Sequence, residues 1–241
     1  MEAIIATNLS KKYDDIIAVD NLNLTIKEGE IFSLLGVNGA GKTTTIKMLS
    51  CLIKPTSGDA RLFGSSIKKQ SQFIKQIINI SPQETAVADN LTVEENLILI
   101  AGLYGQDNKK AIKSALNIAK SFNIESVLKK KAGKLSGGMQ RRLSIAMALI
   151  SKPQILFLDE PTLGLDVLAR RELWASIKAL KGKITIILTT HYLEEVEALS
   201  DRVGVMAKGK MKAIGTVTEL TTQTGTNNLE DAFVVLNGGT L

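Results

Sequence analysis

The run Gly36-Val37-Asn38-Gly39-Ala40-Gly41-Lys42-Thr43 limits this chain more than any other stretch. It fits the spacing G-x-x-x-x-G-K-[ST]. Before it lies the apolar run Ile31-Phe32-Ser33-Leu34-Leu35, and after it residues 42–52 read as a helix stopped near Pro55. A buried strand that feeds a glycine-rich turn and then a helix is half of an α/β unit. The glycines let backbone N–H groups wrap closely around phosphate, and the helix N-terminus points its dipole at the anion. Lys42 brings a full positive charge near the β- and γ-phosphates, and the Thr43 hydroxyl can take a place on Mg²⁺.

The rest of the chain carries the same alternation. Residues 18–26 alternate apolar and polar like a half-buried strand, Glu28-Gly29-Glu30 is a turn, and residues 155–158 and 184–188 read as buried strands. Helices are expected at about 166–180 and from about Leu193, which favours a parallel sheet covered on both faces. Between the strands, residues 93–104, 109–119 and 140–151 read as helices with little strand signal, as in a helical insertion. Residues 203–207 and 211–214 flank Lys208-Gly209-Lys210 like a hairpin. At 241 residues the chain makes one large domain, or one with an embedded subdomain.

Two further clusters carry chemistry. Asp159 and Glu160 emerge at the carboxyl end of Ile155-Leu156-Phe157-Leu158, the edge of an open α/β sheet where ligands bind. Asp159 can hold Mg²⁺, and Glu160 can polarise or position the water that attacks a γ-phosphate. Ser136-Gly137-Gly138 exposes backbone N–H groups ahead of another helix, a second anion-binding helix N-terminus. One nucleotide does not need two such turns, so the second is expected to meet phosphate held by another copy of the protein.

Composition excludes several classes. The hydrophobic fraction of 44% is that of an ordered globular chain. A net charge of +6 favours anionic partners without choosing among them. Aromatics at 4% and scattered basic pairs argue against nucleic acid as a partner. Cys51, the only cysteine, is expected to be a small buried hydrophobe, and with one cysteine and one histidine a four-ligand zinc cluster is out of reach. No apolar run is long enough to span a bilayer, and Met1 to Ile5 does not look like the start of a signal peptide.

Taken in order, these motifs resemble the nucleotide-binding subunit of an ATP-binding-cassette (ABC) transporter over nearly the whole chain. The order is the phosphate loop, Gln83, Leu135-Ser136-Gly137-Gly138-Met139-Gln140, Asp159-Glu160, Asp166 and His191. The resemblance implies an α/β fold: a P-loop NTPase (RecA-like) core with a parallel sheet, an N-terminal antiparallel β subdomain and an inserted α-helical subdomain. Residues 1–83 and 151–215 would form the core with its β subdomain, 84–150 the helical subdomain and 216–241 a short tail. It implies ATP and Mg²⁺ as cofactors. Gly36, Asn38, Gly39, Ala40, Gly41, Lys42, Thr43 and Thr44 would hold the phosphates, and Tyr13 would stack on adenine. Thr43, Gln83 and Asp159 would serve the metal, with Glu160, His191 and Gln83 in catalysis. Ser136, Gly137 and Gly138 would also bind nucleotide, Ser136 and Gly138 by contacting the γ-phosphate across the interface with a second nucleotide-binding subunit, and Asp166 would link the two sites. Val37 and Val167 stand where relatives often carry proline, with small effects expected. A separate transmembrane permease is the implied partner, and the cytoplasmic face of the cell membrane the implied location. Leu91 to Leu97, Gly102-Leu103-Tyr104-Gly105 and Leu229 to Phe233 resemble exporter ATPases. The alternatives are an importer ATPase or a non-transport ATPase of an assembly scaffold.

Overall fold

A computed structural model of the chain describes residues 1–240. Two long strands open it, β1 (Glu2–Tyr13) and β2 (Ile16–Lys27), paired antiparallel. β3 (Ile31–Leu35) and α1 (Lys42–Leu49) follow. β4 (Ser57–Leu62) and β5 (Ser65–Ser66) then extend the first sheet, whose order is β2-β1-β4-β5. α2 (Ser71–Ile77) leads into β6 (Ile78–Ser81). The middle is helical: α3 (Val93–Leu103), α4 (Asn108–Ser121) and α5 (Gly137–Leu149). Strands and helices then alternate as β7 (Ile155–Asp159), α6 (Val167–Lys178), β8 (Thr185–Thr190) and α7 (Leu193–Leu199). The chain ends in the hairpin β9 (Arg202–Ala207) and β10 (Lys210–Gly215), then α8 (Val217–Thr224) and α9 (Leu229–Leu236). The second sheet has the order β10-β9-β3-β8-β7-β6 and is parallel except at β10.

Every residue of β3, β7 and β8 is buried, which explains their predominantly apolar sequences. Successive side chains of a strand point to opposite faces. Leu156, Leu158, Ile186 and Leu188 accordingly join α3 to α6 in one core, while Ile155, Phe157, Ile187, Phe32 and Leu34 join α1 and the antiparallel sheet in another. α5 is buried from Arg141 to Leu149 and packs on β6, β7, α3 and α4, so the helical region and the sheet share a continuous core. α3 starts at a capping box in which Thr92 and Glu95 satisfy each other's backbone N–H groups.

Several elements differ from the sequence expectation. α1 stops at Leu49, not 52, because Cys51 takes a left-handed φ of 59°. Cys51 is half-buried rather than fully enclosed. α5 starts at Gly137, three residues earlier than expected, because the Ser136 side chain accepts a hydrogen bond from Met139 N and caps it there. β4 and β6 were not expected. β4 carries Gly58 at φ +73°, where a Cβ would lie 2.1 Å from Asn8 O. The expected tail is two capped helices whose Leu220 and Leu229 pack against Leu35, Val203 and Val205.

Candidate functional site

β3 delivers the chain into the phosphate loop, and two glycines shape it. A Cβ on Gly36 would lie 2.5 Å from Met206 O, and one on Gly41, at φ +103°, 2.5 Å from Ala18 O. Only glycine fits at either point. Ala40 N donates to Val37 O at 3.1 Å and closes the turn. No side chain caps α1, and its first turn holds no acid. Its leading N–H groups are therefore left for an anion.

Lys42 is 4% exposed. Its Nζ donates to Gly36 O at 2.8 Å and to Val37 O at 3.2 Å, and lies 3.5 Å from Glu160 Oε1. Burial lowers the Lys42 pKa, and the charge of Glu160 opposes that shift. An anion placed beside Lys42 would restore the solvation that the fold removes.

The strand ends at the same edge supply the acids. Thr43 Oγ1 donates to Asp159 Oδ1 at 3.1 Å, and the Thr189 hydroxyl donates to the same oxygen. Glu160 takes a left-handed φ of 47°, a strained backbone for a residue with a side chain. Its N–H donates to Thr189 O at 3.1 Å and to Thr189 Oγ1 at 3.0 Å. His191 Nδ1 lies 3.4 Å from Glu160 Oε2 but makes no hydrogen bond to it. Glu160 thus sits between a lysine and the only histidine, at the rim of buried strands β7 and β8. Thr189 is the residue the sequence reading missed. Two threonines at the end of a buried strand were the available signal.

A cleft of about 760 Å³ opens over these groups. Tyr13, Asn38, Gly39, Ala40, Gly41, Lys42, Thr43, Thr44, Gln83, Glu160 and His191 all line it, together with Ile16, Ile17 and Ala18 of the antiparallel sheet. Tyr13 is 43% exposed at the end of β1, with Lys11 Nζ 4.9 Å from its ring centre. The backbone carbonyls of Pro82 and Gln83 accept from the Arg141 guanidinium, which ties the Gln83 loop to α5. Asp159 lies behind Thr43, and Gly36 at the base of the loop. Asp166 accepts from Ala169 N at 2.9 Å as the cap of α6.

Ser136, Gly137 and Gly138 are not in this cleft. They stand at the N-terminus of α5, with Ser136 and Gly137 exposed and Gly138 half-buried. The chain therefore presents a phosphate loop and a separate capped helix N-terminus on its surface. Among the described residues no three His, Cys, Asp or Glu side chains gather as a metal site. A magnesium ion held by one carboxylate, a threonine hydroxyl and substrate phosphates suits such a donor set.

Comparison with known proteins agrees with this geometry. Residues 19–163 match the ABC transporter family. The probable multidrug ABC transporter ATP-binding protein YbhF of Escherichia coli K12 is 39% identical over 239 residues, covering 97% of this chain. The chain spans only 41% of that relative. The linearmycin resistance ATP-binding protein LnrL of Bacillus subtilis is 40% identical, with 95% of this chain and 77% of the relative covered. Among solved structures, the dimeric ATP-binding cassette MJ0796 in a post-hydrolysis state with ADP and Pi superposes with a TM-score of 0.80 at 28% identity. The match covers 88% of this chain and 98% of that one. The chain belongs to the ABC transporter family, as one of its ATP-binding ATPases.

Proposed function

We propose that two copies of this chain, or one copy and a related subunit, close head to tail around two ATP molecules and drive a separate transmembrane permease. The observation that carries this reading is the separation of the two phosphate-seeking features. Lys42 and the phosphate loop line the cleft, whereas Ser136 to Gly138 stand exposed outside it. In this reading each feature supplies one half of a shared triphosphate site.

In this reading Gly36 to Thr44 cradle the phosphates and Lys42 neutralises them. Tyr13 stacks on the base, walled by Ile16 and Ile17. Magnesium, when bound, neutralises phosphate charge, and Thr43, Asp159 and Gln83 are the residues to hold it. Glu160 accepts a proton from, or orients, the attacking water, and His191 steadies the γ-phosphate side of the cleft. Ser136, Gly137 and Gly138 of the partner complete the cage, because the Ser136 cap takes only the Met139 N–H and leaves those of Gly137 and Gly138 for the terminal phosphate. Loss of that phosphate removes the shared contact and lets the subunits part.

The names of YbhF and LnrL support drug efflux as the direction of transport. No helix of the described residues is long and apolar enough to cross a membrane. A permease partner would place the chain at the cytoplasmic face of the membrane. Leu99, Leu103 and Tyr104 on and just after α3 are 48%, 74% and 45% exposed. Exposed apolar side chains of this size suit a partner surface, and they lie beyond the Gln83 loop in sequence. The test is co-purification from detergent-solubilised membranes. A polytopic membrane protein that binds the chain and stimulates its phosphate release is the expected result. A chain that stays wholly in the soluble fraction contradicts the permease assignment.

A further inference from the structure

The loop after Glu160 and the loop that carries His191 meet at the cleft, and they meet again beneath it. The second meeting point is Glu195, in the first turn of α7. Its side chain is fully buried. Trp174 Nε1, on α6, donates to Glu195 Oε1 at 3.1 Å. The hydroxyls of Thr190 and Thr162 flank the same carboxyl. Glu195 Oε2 and Thr162 Oγ1 nevertheless lack a well-formed hydrogen bond among the described residues. Both are buried, and unpaired buried polar atoms are costly.

What Glu195 touches is informative. Thr162 follows Glu160 by two residues. Thr190 immediately precedes His191, and its Oγ1 accepts from Tyr192 N at 2.9 Å, so it brackets the histidine from below. Trp174 belongs to the helix capped by Asp166. The cation nearest this cluster is Arg170, which pairs with Glu194 at 3.1 Å and stacks over Tyr192 and Trp174 at 5.2 and 5.9 Å. A leucine would fill the same space at lower desolvation cost. A carboxyl bonded to α6 and flanked by a hydroxyl from each loop does what leucine does not: it offers a polar contact to all three. Burial raises the Glu195 pKa, and the neighbouring Thr190, Trp174 and Thr162 donors and Arg170 oppose that shift.

We propose that Glu195 is a positioning residue for ATP hydrolysis, holding the loop after Glu160 and the loop of His191 in one mutual arrangement from beneath the cleft. The inference rests on the ATPase reading of that cleft. It is tested with Glu195→Gln, Glu195→Leu, Thr162→Val and Trp174→Phe, by steady-state phosphate release, fluorescent-nucleotide binding and thermal melting. Gln keeps a donor and an acceptor, so its kcat is expected within about threefold of wild type, whereas Leu should lose at least about tenfold in kcat with nucleotide affinity unchanged. Thr162→Val and Trp174→Phe should each lower kcat by a smaller factor without moving affinity. A Glu195→Leu protein with wild-type kcat, or one whose melting temperature alone falls, overturns the proposal. Should that variant not fold, unchanged kcat in both Thr162→Val and Trp174→Phe overturns it. Wild type and Glu160→Gln are run alongside. A wild-type chain that releases no phosphate refutes the ATPase reading itself, whereas an active wild type beside an equally active Glu195→Leu refutes only the role of Glu195.

Discussion

Substituting Ser136 by aspartate separates two jobs that this residue performs. Ser136 caps α5 through its hydrogen bond from Met139 N, and in the proposed dimer it faces the partner's γ-phosphate. Removing the cap with alanine costs about 1 kcal/mol. In a chain of this size that corresponds to a melting shift of about 2–4 °C. Aspartate caps as well as serine and adds favourable charge at a helix start, so Ser136→Asp should melt within about 2 °C of wild type. Its effect on the shared cage is opposite. Two unit negative charges at about 4 Å repel by roughly 4 kcal/mol at an effective dielectric near 20. That is close to a 10³-fold weakening per site, and the γ-phosphate carries more than one charge. The assay is phosphate release over a range of protein concentrations, with nucleotide binding measured below the dimerising range. Phosphate release should fall by about 10³-fold, while the single chain binds nucleotide as before. The reasoning is refuted if the variant hydrolyses like wild type, or if the isolated chain loses nucleotide affinity.

Gly41→Ala places a Cβ 2.5 Å from Ala18 O at φ +103°. Strain of about 1–3 kcal/mol should lower the melting temperature and weaken nucleotide binding at least about fivefold, read by thermal melting and titration. Tyr13→Ala should weaken ATP and GTP by the same factor, roughly three- to tenfold, since ring stacking does not read base edges; unequal losses in competition binding would contradict this. Glu195→Gln should alter the pH dependence of stability. A raised carboxyl pKa gives wild type a contribution that is complete below the ordinary carboxylate range and is lost as pH rises through the folded value. The melting difference between variant and wild type should therefore move in the variant's favour from about pH 5 to about pH 8, and a constant difference would count against it.

The parts of the fold visible in the sequence are those set by short-range physics. The runs at β3, β7 and β8 are mostly apolar because both sheet faces are covered, and the phosphate loop is visible because glycine spacing is itself the geometry. β4 was hidden, since Gly58 and Asp59 break the strand pattern and its pairing with β1 lies about fifty residues back in sequence. The start of α5 was misplaced because glycines read as loop, whereas the Ser136 cap draws them into the first turn. At the site, the candidates Lys42, Glu160 and His191 were readable singly. Their assembly was not. Thr43 reaches Asp159 across a separation of 116 residues, and Ala18 on β2 presses on Gly41 from the other sheet. The role of Thr189, bonded to Asp159 and to Glu160 N, appears only once β7 and β8 lie side by side in register.

The shared cage is tested most directly by the mass of Glu160→Gln in solution with ATP and Mg²⁺, measured by light scattering on a sizing column. With hydrolysis blocked, the account predicts a particle of twice the 26.0 kDa chain mass, which returns to a single chain when Ser136→Asp is added. A particle of 26.0 kDa at every protein and nucleotide concentration would contradict it.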